Sequence, residues 1–141
     1  GHEVTLLASG DSKTSAKLIP IWPKSLWRAK LSAPHAVFAL IYEKLVKIQK
    51  EFDIIHDHCE FYTAPFFPFL KRPLVSTIHH PIYEELIILF KKFSKINYVA
   101  ISKAQRKSAP GVNFVQTIYN GIPIKKYPFD PIEKATAQYL P

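Results

Sequence analysis

Residues 52–60 read FDIIHDHCE, in which two isoleucines are followed at once by histidine, aspartate, cysteine and glutamate side chains. A short β-branched run with a polar end is typical of a buried strand, so we predict a strand over Asp53–His56. The polar side chains would then lie at the carboxyl end of that strand. They could form a metal site or a catalytic cluster, or they could simply end the strand.

Amphipathic helices flank this strand and the next one along the chain. The first helical face has apolar residues at spacings of four, four, three and four: Val37, Ile41, Leu45, Ile48 and Phe52. The second face comprises Ile82, Leu86, Leu89, Phe90 and Phe93. An apolar run at 73–79 and a proline-containing segment at 61–70 lie between them, and they predict a strand and a short helix. Each amphipathic helix is expected to pack by one face on a sheet.

Three further apolar runs predict strands at 3–8, 97–101 and 114–119. Ser102 and Gln105 have the spacing of a capping box, which predicts a helix beginning at Ser102. Residues 18–34 hold three interleaved prolines, so we predict neither a regular helix nor a central strand there. Strands that alternate with helices indicate βαβ units. The predicted fold class is α/β, with an open, doubly wound parallel sheet of the Rossmann-like kind.

The composition is that of one globular domain with a basic surface. The chain has 141 residues, and 19 basic against 11 acidic side chains give a net charge of +8. Because the basic residues occur singly or in pairs, without an aromatic-basic signature, we predict no nucleic-acid binding. The one cysteine, Cys59, excludes an intramolecular disulfide and favours the cytoplasm. No apolar run approaches the roughly 20 residues that span a bilayer.

The segment 19–30 mixes two tryptophans, Trp22 and Trp27, with basic residues. This mixture suits sugar stacking or a peripheral contact with an anionic membrane. A loop that its tryptophans pack onto the domain is the alternative.

Polar side chains follow each predicted strand: Ser9, Gly10 and Asp11, then His56, Asp57 and His58, then His79 and His80, then Ser102, and finally Asn120 and Gly121. Ligands of doubly wound sheets bind in the crevice beyond the carboxyl ends of the strands. We therefore expect a cleft along this edge. Since Pro123 follows closely, Asn120–Gly121 is expected to lead out of the domain and not to close a hairpin.

A metal site is the less favoured interpretation of these residues. His56 and His58 would point to one side of an extended segment, and Cys59, His79 and His80 could complete a zinc-like set. The paired cysteine spacing and the helical histidine spacing of common zinc sites are both absent from the sequence, and we predict no metal. Nothing in the sequence orients a base toward Cys59, which is interpreted as a small buried residue.

Phosphate binding by a glycine-rich loop is also not indicated, because the chain contains neither of the common glycine-rich motifs. The helix start at Ser102 is the remaining candidate for a phosphate contact, and a plain helix cap is the alternative.

The order of several short motifs resembles the N-terminal half of a family 4 glycosyltransferase. The motifs are Gly1–Leu6, Ala8–Ser12, His56–His58, Ser76–His79, Tyr98–Ser102 with Gln105–Arg106, and Tyr119–Ile122. The resemblance implies one half of a GT-B enzyme, which transfers a sugar from a nucleotide-sugar donor with retention and without a metal. It implies no cofactor other than this co-substrate.

The resemblance also implies roles for individual residues. His79, in a Thr-x-His pattern, would lie beside the transferred sugar. His56 and His58 would line the acceptor side, where a glycan, a lipid or a small molecule binds. The remaining expected substrate contacts are Asp11, Ser102, Asn120 and Gly121.

Domain boundaries follow from the same resemblance. Residues 1–129 would be the acceptor-side domain without the family's first strand, and residues 130–141 a linker toward an absent donor-binding domain. Such a fragment is expected to be inactive alone. The alternative is a non-catalytic α/β module that binds a carbohydrate or an anionic ligand.

Overall fold

The computed structural model describes residues 1–123 and residue 125, and it shows an α/β chain with two parallel sheets. The predicted fold class is confirmed. The strands are β1 Thr5–Ser9, β2 Lys17–Trp22, β3 Ile55–Asp57, β4 Leu74–Ile78, β5 Asn97–Ala100 and β6 Phe114–Thr117. The α-helices are α1 Leu26–Ala29, α2 His35–Ile48, α3 Glu84–Lys92 and α4 Lys103–Ser108. Short 3-10 helices cover Gln49–Glu51, Glu60–Tyr62 and Ala64–Phe69. The predicted domain end at residue 129 and the linker 130–141 lie outside the described residues.

The larger sheet has four strands in the order β3-β4-β5-β6, and every neighbouring pair is parallel. Ile55 pairs with Leu74 and Asp57 with Ser76, so β3 and β4 run in register toward the same edge. β4 continues beyond that pair to Ile78, which pairs with Ala100. The residues that follow β3, β4 and β5 are thereby brought to one edge of the sheet.

The core lies between this sheet and its helices. Its innermost large side chains include Tyr42 of α2, Ile78, Phe90 of α3 and Tyr98, each at most 2% exposed. The rings of Phe90 and Tyr98 meet with their centroids 4.9 Å apart. Apolar burial of this kind is the main force that holds helices on a sheet.

The buried face of α2 differs in part from the predicted one. Val37 and Leu45 are buried as expected, but Tyr42 and Gln49 are buried more fully than Ile41 and Ile48. The Gln49 amide donates to the carbonyls of Val46 and Phe69 and accepts from the Lys71 backbone N–H. A polar side chain can therefore lie on the core face, because its hydrogen bonds are satisfied.

Residues 18–34 contain no central strand, as predicted, but they are more regular than expected. Strand β2 and the one-turn helix α1 lie there, and β2 pairs with β1 in a separate two-stranded parallel sheet. Pro20 is exposed within β2. A strand of a two-stranded sheet has one unpaired edge, where a residue without an N–H is tolerated. No helix of the described chain is long and apolar enough to cross a membrane.

Candidate functional site

Three histidines form a row at the carboxyl ends of β3 and β4. His56 Nε2 lies 2.9 Å from the Thr77 hydroxyl, and His58 Nδ1 lies 2.9 Å from His79 Nε2. The ring centroids of His56 and His58 are 4.2 Å apart, and those of His58 and His79 are 5.2 Å apart. The in-register pairing of β3 with β4 produces this row, because it carries both strand ends to the same place. All three imidazoles are on exposed residues.

Asp57 fixes the turn that carries this row. Its side chain points into the protein while the neighbouring histidines point out, as alternation along a strand requires. The carboxylate accepts hydrogen bonds from the backbone N–H groups of Cys59 (3.0 Å) and Glu60 (3.1 Å) and from the Ser76 hydroxyl (2.7 Å). The Thr63 hydroxyl also donates to it. Hydrogen bonds to a carboxylate are stronger than those between neutral groups, so this turn is held firmly.

Glu60 connects the same turn to the end of β4. Its Oε1 accepts from the backbone N–H of His79 and lies 3.0 Å from Nδ1 of His80. The residue is 1% exposed, and its φ of 54° is in the left-handed region. The position of His79 therefore depends on a buried carboxylate from the neighbouring turn.

Gln105 of α4 holds the same segment from another direction. Its Nε2 donates to the backbone carbonyls of Ile78 at 3.1 Å and His80 at 2.9 Å. The Ser102 hydroxyl accepts from the Gln105 backbone N–H at 3.0 Å, so the predicted helix start is confirmed. Gln105 Oε1 accepts from the N–H of Ile101, one residue before the expected partner Ser102. Ser102 thus caps α4, and Gln105 joins that cap to the loop after β4.

The electrostatics of the row favour a neutral His58. Partial burial lowers the pKa of His58 below its ordinary value, and the nearby charges that His56 and His79 can carry lower it further. A neutral imidazole has one N–H donor and one acceptor nitrogen. The His58–His79 hydrogen bond therefore uses a proton on one of the two rings, and the row can offer both donors and acceptors to a ligand.

Cys59 is not a nucleophile in this arrangement. Burial, and next the neighbouring Asp57 charge, raise the pKa of its thiol to about 11. A thiol of that pKa stays protonated near neutral pH, and the thiolate is the reactive form. Among the described residues, no group of three or more histidine, cysteine, aspartate or glutamate side chains has an arrangement that could hold a metal ion.

The sequence model of glycosyltransferase family 4 matches residues 1–126. The chain belongs to glycosyltransferase family 4. No curated protein matches it. The match covers both parallel sheets and the histidine row, so the site just described lies within the family domain.

The other predicted substrate contacts of this family 4 domain do not hydrogen-bond to the histidine row. Asp11 accepts from the Ser25 backbone N–H at 2.9 Å and pairs with Arg28 at 3.6 Å. The Ser9 hydroxyl, the Ser25 N–H and the Arg28 charge hold the pKa of Asp11 below its ordinary value. Asn120 and Gly121 are exposed in the segment that follows β6.

An apolar cavity of about 240 Å³ lies near the ends of β1 and β2 in the same domain. Trp22, Ile21 and Leu26 line it together with Val37 and Ile41 of α2, and Lys24 and Ser25 add polar atoms. Trp22 is half-buried here, whereas Trp27 is 96% exposed. Packing onto the domain, expected of a loop with both tryptophans, is therefore seen for Trp22 alone, which lies at the end of strand β2.

The sequence did not predict that Glu60 and Gln105 take part in this site. Glu60 ends the stretch 52–60, but nothing in the sequence indicates that its carboxylate is buried. Gln105 was assigned to a helix start, and its side-chain bonds to β4 depend on how α4 sits against the sheet. A carboxylate two residues after a histidine at a strand end is the one signal that could have drawn attention to Glu60.

Proposed function

We propose that this family 4 chain forms the acceptor side of an enzyme that transfers a sugar from a nucleotide-sugar donor. The observation that carries the proposal is the row of His56, His58 and His79 at the carboxyl ends of two neighbouring parallel strands. In open α/β sheets this edge is where ligands bind. The row is exposed, while the carboxylates that hold it are buried.

The row suits the chemistry of sugars. Hydroxyl groups both donate and accept hydrogen bonds, and neutral imidazoles do the same. His79 contacts the transferred sugar in this proposal, and His56 and His58 contact the acceptor. The His58–His79 hydrogen bond restricts both rings before substrate arrives. A contact that is already oriented and that strengthens in the transition state raises turnover.

The proposed reaction proceeds with retention at the anomeric carbon and without a metal. In the proposed enzyme, the donor diphosphate is held by a second domain. The resemblance of the motif order to family 4 enzymes supports both statements. The anomeric proton signals of the product in an NMR spectrum test the stereochemistry, and an inverted product contradicts it.

The central test replaces His79 by alanine in the complete enzyme. We expect turnover to fall by about tenfold or more, because one transition-state contact is lost. Release of the donor nucleotide measures the rate for each nucleotide sugar offered. His2→Ala is the matched control, since His2 is exposed near the beginning of the chain. Unchanged kinetics in His79→Ala would remove His79 from the mechanism.

A further inference from the structure

Glu60 combines two energetically unfavourable features. Its φ of 54° is in the left-handed region, which costs a residue other than glycine about 1–3 kcal/mol. Its Oε2 is buried and has no hydrogen-bond partner among the described residues. A buried polar atom without a partner costs about 1–3 kcal/mol more. Strain and unpaired polar atoms of this kind concentrate at functional sites.

The contact between Glu60 and His80 indicates a chemical role for these two features. Glu60 Oε1 lies 3.0 Å from His80 Nδ1, while the His80 side chain is 64% exposed. A carboxylate oxygen accepts this hydrogen bond when Nδ1 of His80 carries the proton. In the neutral ring, Nε2 on the side away from Glu60 is then an acceptor.

The backbone around His80 is also restrained. Gln105 Nε2 donates to the His80 carbonyl at 2.9 Å, and Glu60 accepts from the preceding N–H of His79. The His80 ring further meets Phe61 edge-on, with 6.1 Å between the ring centroids. An exposed imidazole with a restrained backbone and a defined tautomer is arranged as an oriented hydrogen-bond acceptor.

We propose that Glu60 is a positioning residue that holds His80 in the tautomer protonated at Nδ1, and that His80 Nε2 accepts a hydrogen bond from a hydroxyl group of the acceptor substrate. The second part rests on the proposed function, which brings such a hydroxyl to the crevice. His80 thereby adds a fixed acceptor beside the His58–His79 pair, whose rings share one proton between them.

The tautomer is tested without any substrate. Long-range ¹H–¹⁵N correlation spectra of the protein, labelled at its histidines, distinguish a protonated Nδ1 from a protonated Nε2. We expect neutral His80 to carry its proton at Nδ1, and this state to be lost in Glu60→Gly. That variant tolerates the left-handed backbone, so it removes the carboxylate without adding strain. Glu84→Gln, at an exposed glutamate of α3, is the matched control.

The spectra have two outcomes that overturn the positioning role of Glu60. One is a proton on Nε2 of His80 in the unaltered protein. The other is an Nδ1 proton that persists in Glu60→Gly, since the carboxylate would then have no part in selecting the tautomer.

The substrate contact is tested by kinetics on the complete enzyme. His80→Ala and Glu60→Gly are each expected to lower kcat/KM for the acceptor by about tenfold, and the double variant to be no worse than His80→Ala alone. Fully additive losses would contradict the coupling. If His79→Ala lowers turnover and His80→Ala does not, the contact is overturned and the proposed function survives. If neither variant changes the kinetics, both fail.

Discussion

Asp57 and Asp11 are the same type of residue, and each organises a turn at the carboxyl end of a strand, but the protein holds them very differently. Asp57 is buried and accepts from two backbone N–H groups and two hydroxyls. Asp11 is exposed, and it accepts from one backbone N–H and pairs with an exposed arginine. A buried carboxylate with several donors organises its turn far more strongly than an exposed one, because water does not compete for it. The firm turn carries the histidine row, and the other turn adjoins the apolar cavity.

Among the variants that test this comparison, Asp57→Ala should lower the free energy of unfolding most. It leaves the Ser76 hydroxyl and the backbone N–H groups of Cys59 and Glu60 without their acceptor, so we expect the free energy of unfolding to fall by about 3 kcal/mol or more. Urea unfolding followed by tryptophan fluorescence measures the change. A loss below about 1 kcal/mol would mean that water replaces the carboxylate, and the two turns would then be alike.

Tyr42→Phe should have an intermediate effect on the same buried network. The Tyr42 hydroxyl hydrogen-bonds to the Thr63 hydroxyl, which in turn donates to Asp57. Burial raises the pKa of Tyr42, so the hydroxyl stays protonated. Its removal should lower the free energy of unfolding by about 1 kcal/mol. Tyr83→Phe, at an exposed tyrosine, is the control and should leave the free energy of unfolding unchanged. Equal losses in the two variants would show that the buried hydrogen bond of Tyr42 adds nothing to stability.

The free energy of unfolding should depend on pH, because the folded protein disfavours protonation of His58. The pKa of His58 is lowered in the folded protein, mainly by burial and then by His56 and His79, while Asp57 and Glu60 oppose this shift. As the pH falls through the ordinary value of 6.5, the unfolded chain takes up this proton first, so the free energy of unfolding decreases. The decrease ends once the pH is below the lowered pKa of folded His58.

His58→Gln is the control for that pH dependence, because glutamine cannot take up the proton. The difference in free energy of unfolding between the protein and this variant should depend on pH just below 6.5 and be flat above it. A difference that is constant across the whole range would show that His58 has the same pKa in both states.

The smallest effect is expected for Asp11→Asn in the turn after β1. The side chain is exposed, and surface ion pairs such as the one with Arg28 contribute little to stability. Urea unfolding should not distinguish this variant from the unaltered protein. A loss as large as that of Tyr42→Phe would show that the turn after β1 is held as firmly as the one after β3.

The fold was largely predictable, because periodicity reports which residues face a core. The helix that contains Val37 and Leu45 and the four strands of the main sheet follow from apolar spacing alone. Strand β2 was not predicted, because the prolines around it exclude a central strand and the sequence does not show that this strand has an unpaired edge, where proline is tolerated. Tyr42 and Gln49 were missed on the core face because their burial depends on partners distant in sequence.

The site was predictable only in its location. Strand ends in a parallel sheet meet at one edge, so His56, His58 and His79 could be expected to lie close together. The supporting groups Glu60 and Gln105 could not be expected from pattern, since their hydrogen bonds join residues 19 to 27 positions apart. Their geometry is set by tertiary packing, which periodicity does not contain.

The strict order of β3, β4, β5 and β6 has a consequence for how the chain acquires its structure. Each strand pairs with the one that follows it, about twenty residues along the chain, so every new pairing closes a short loop onto an existing edge. The sheet can therefore grow strand by strand as the polypeptide leaves the ribosome, beginning with the two strands that carry the histidines. The edge that carries the histidine row would then form early, before β6 has left the ribosome.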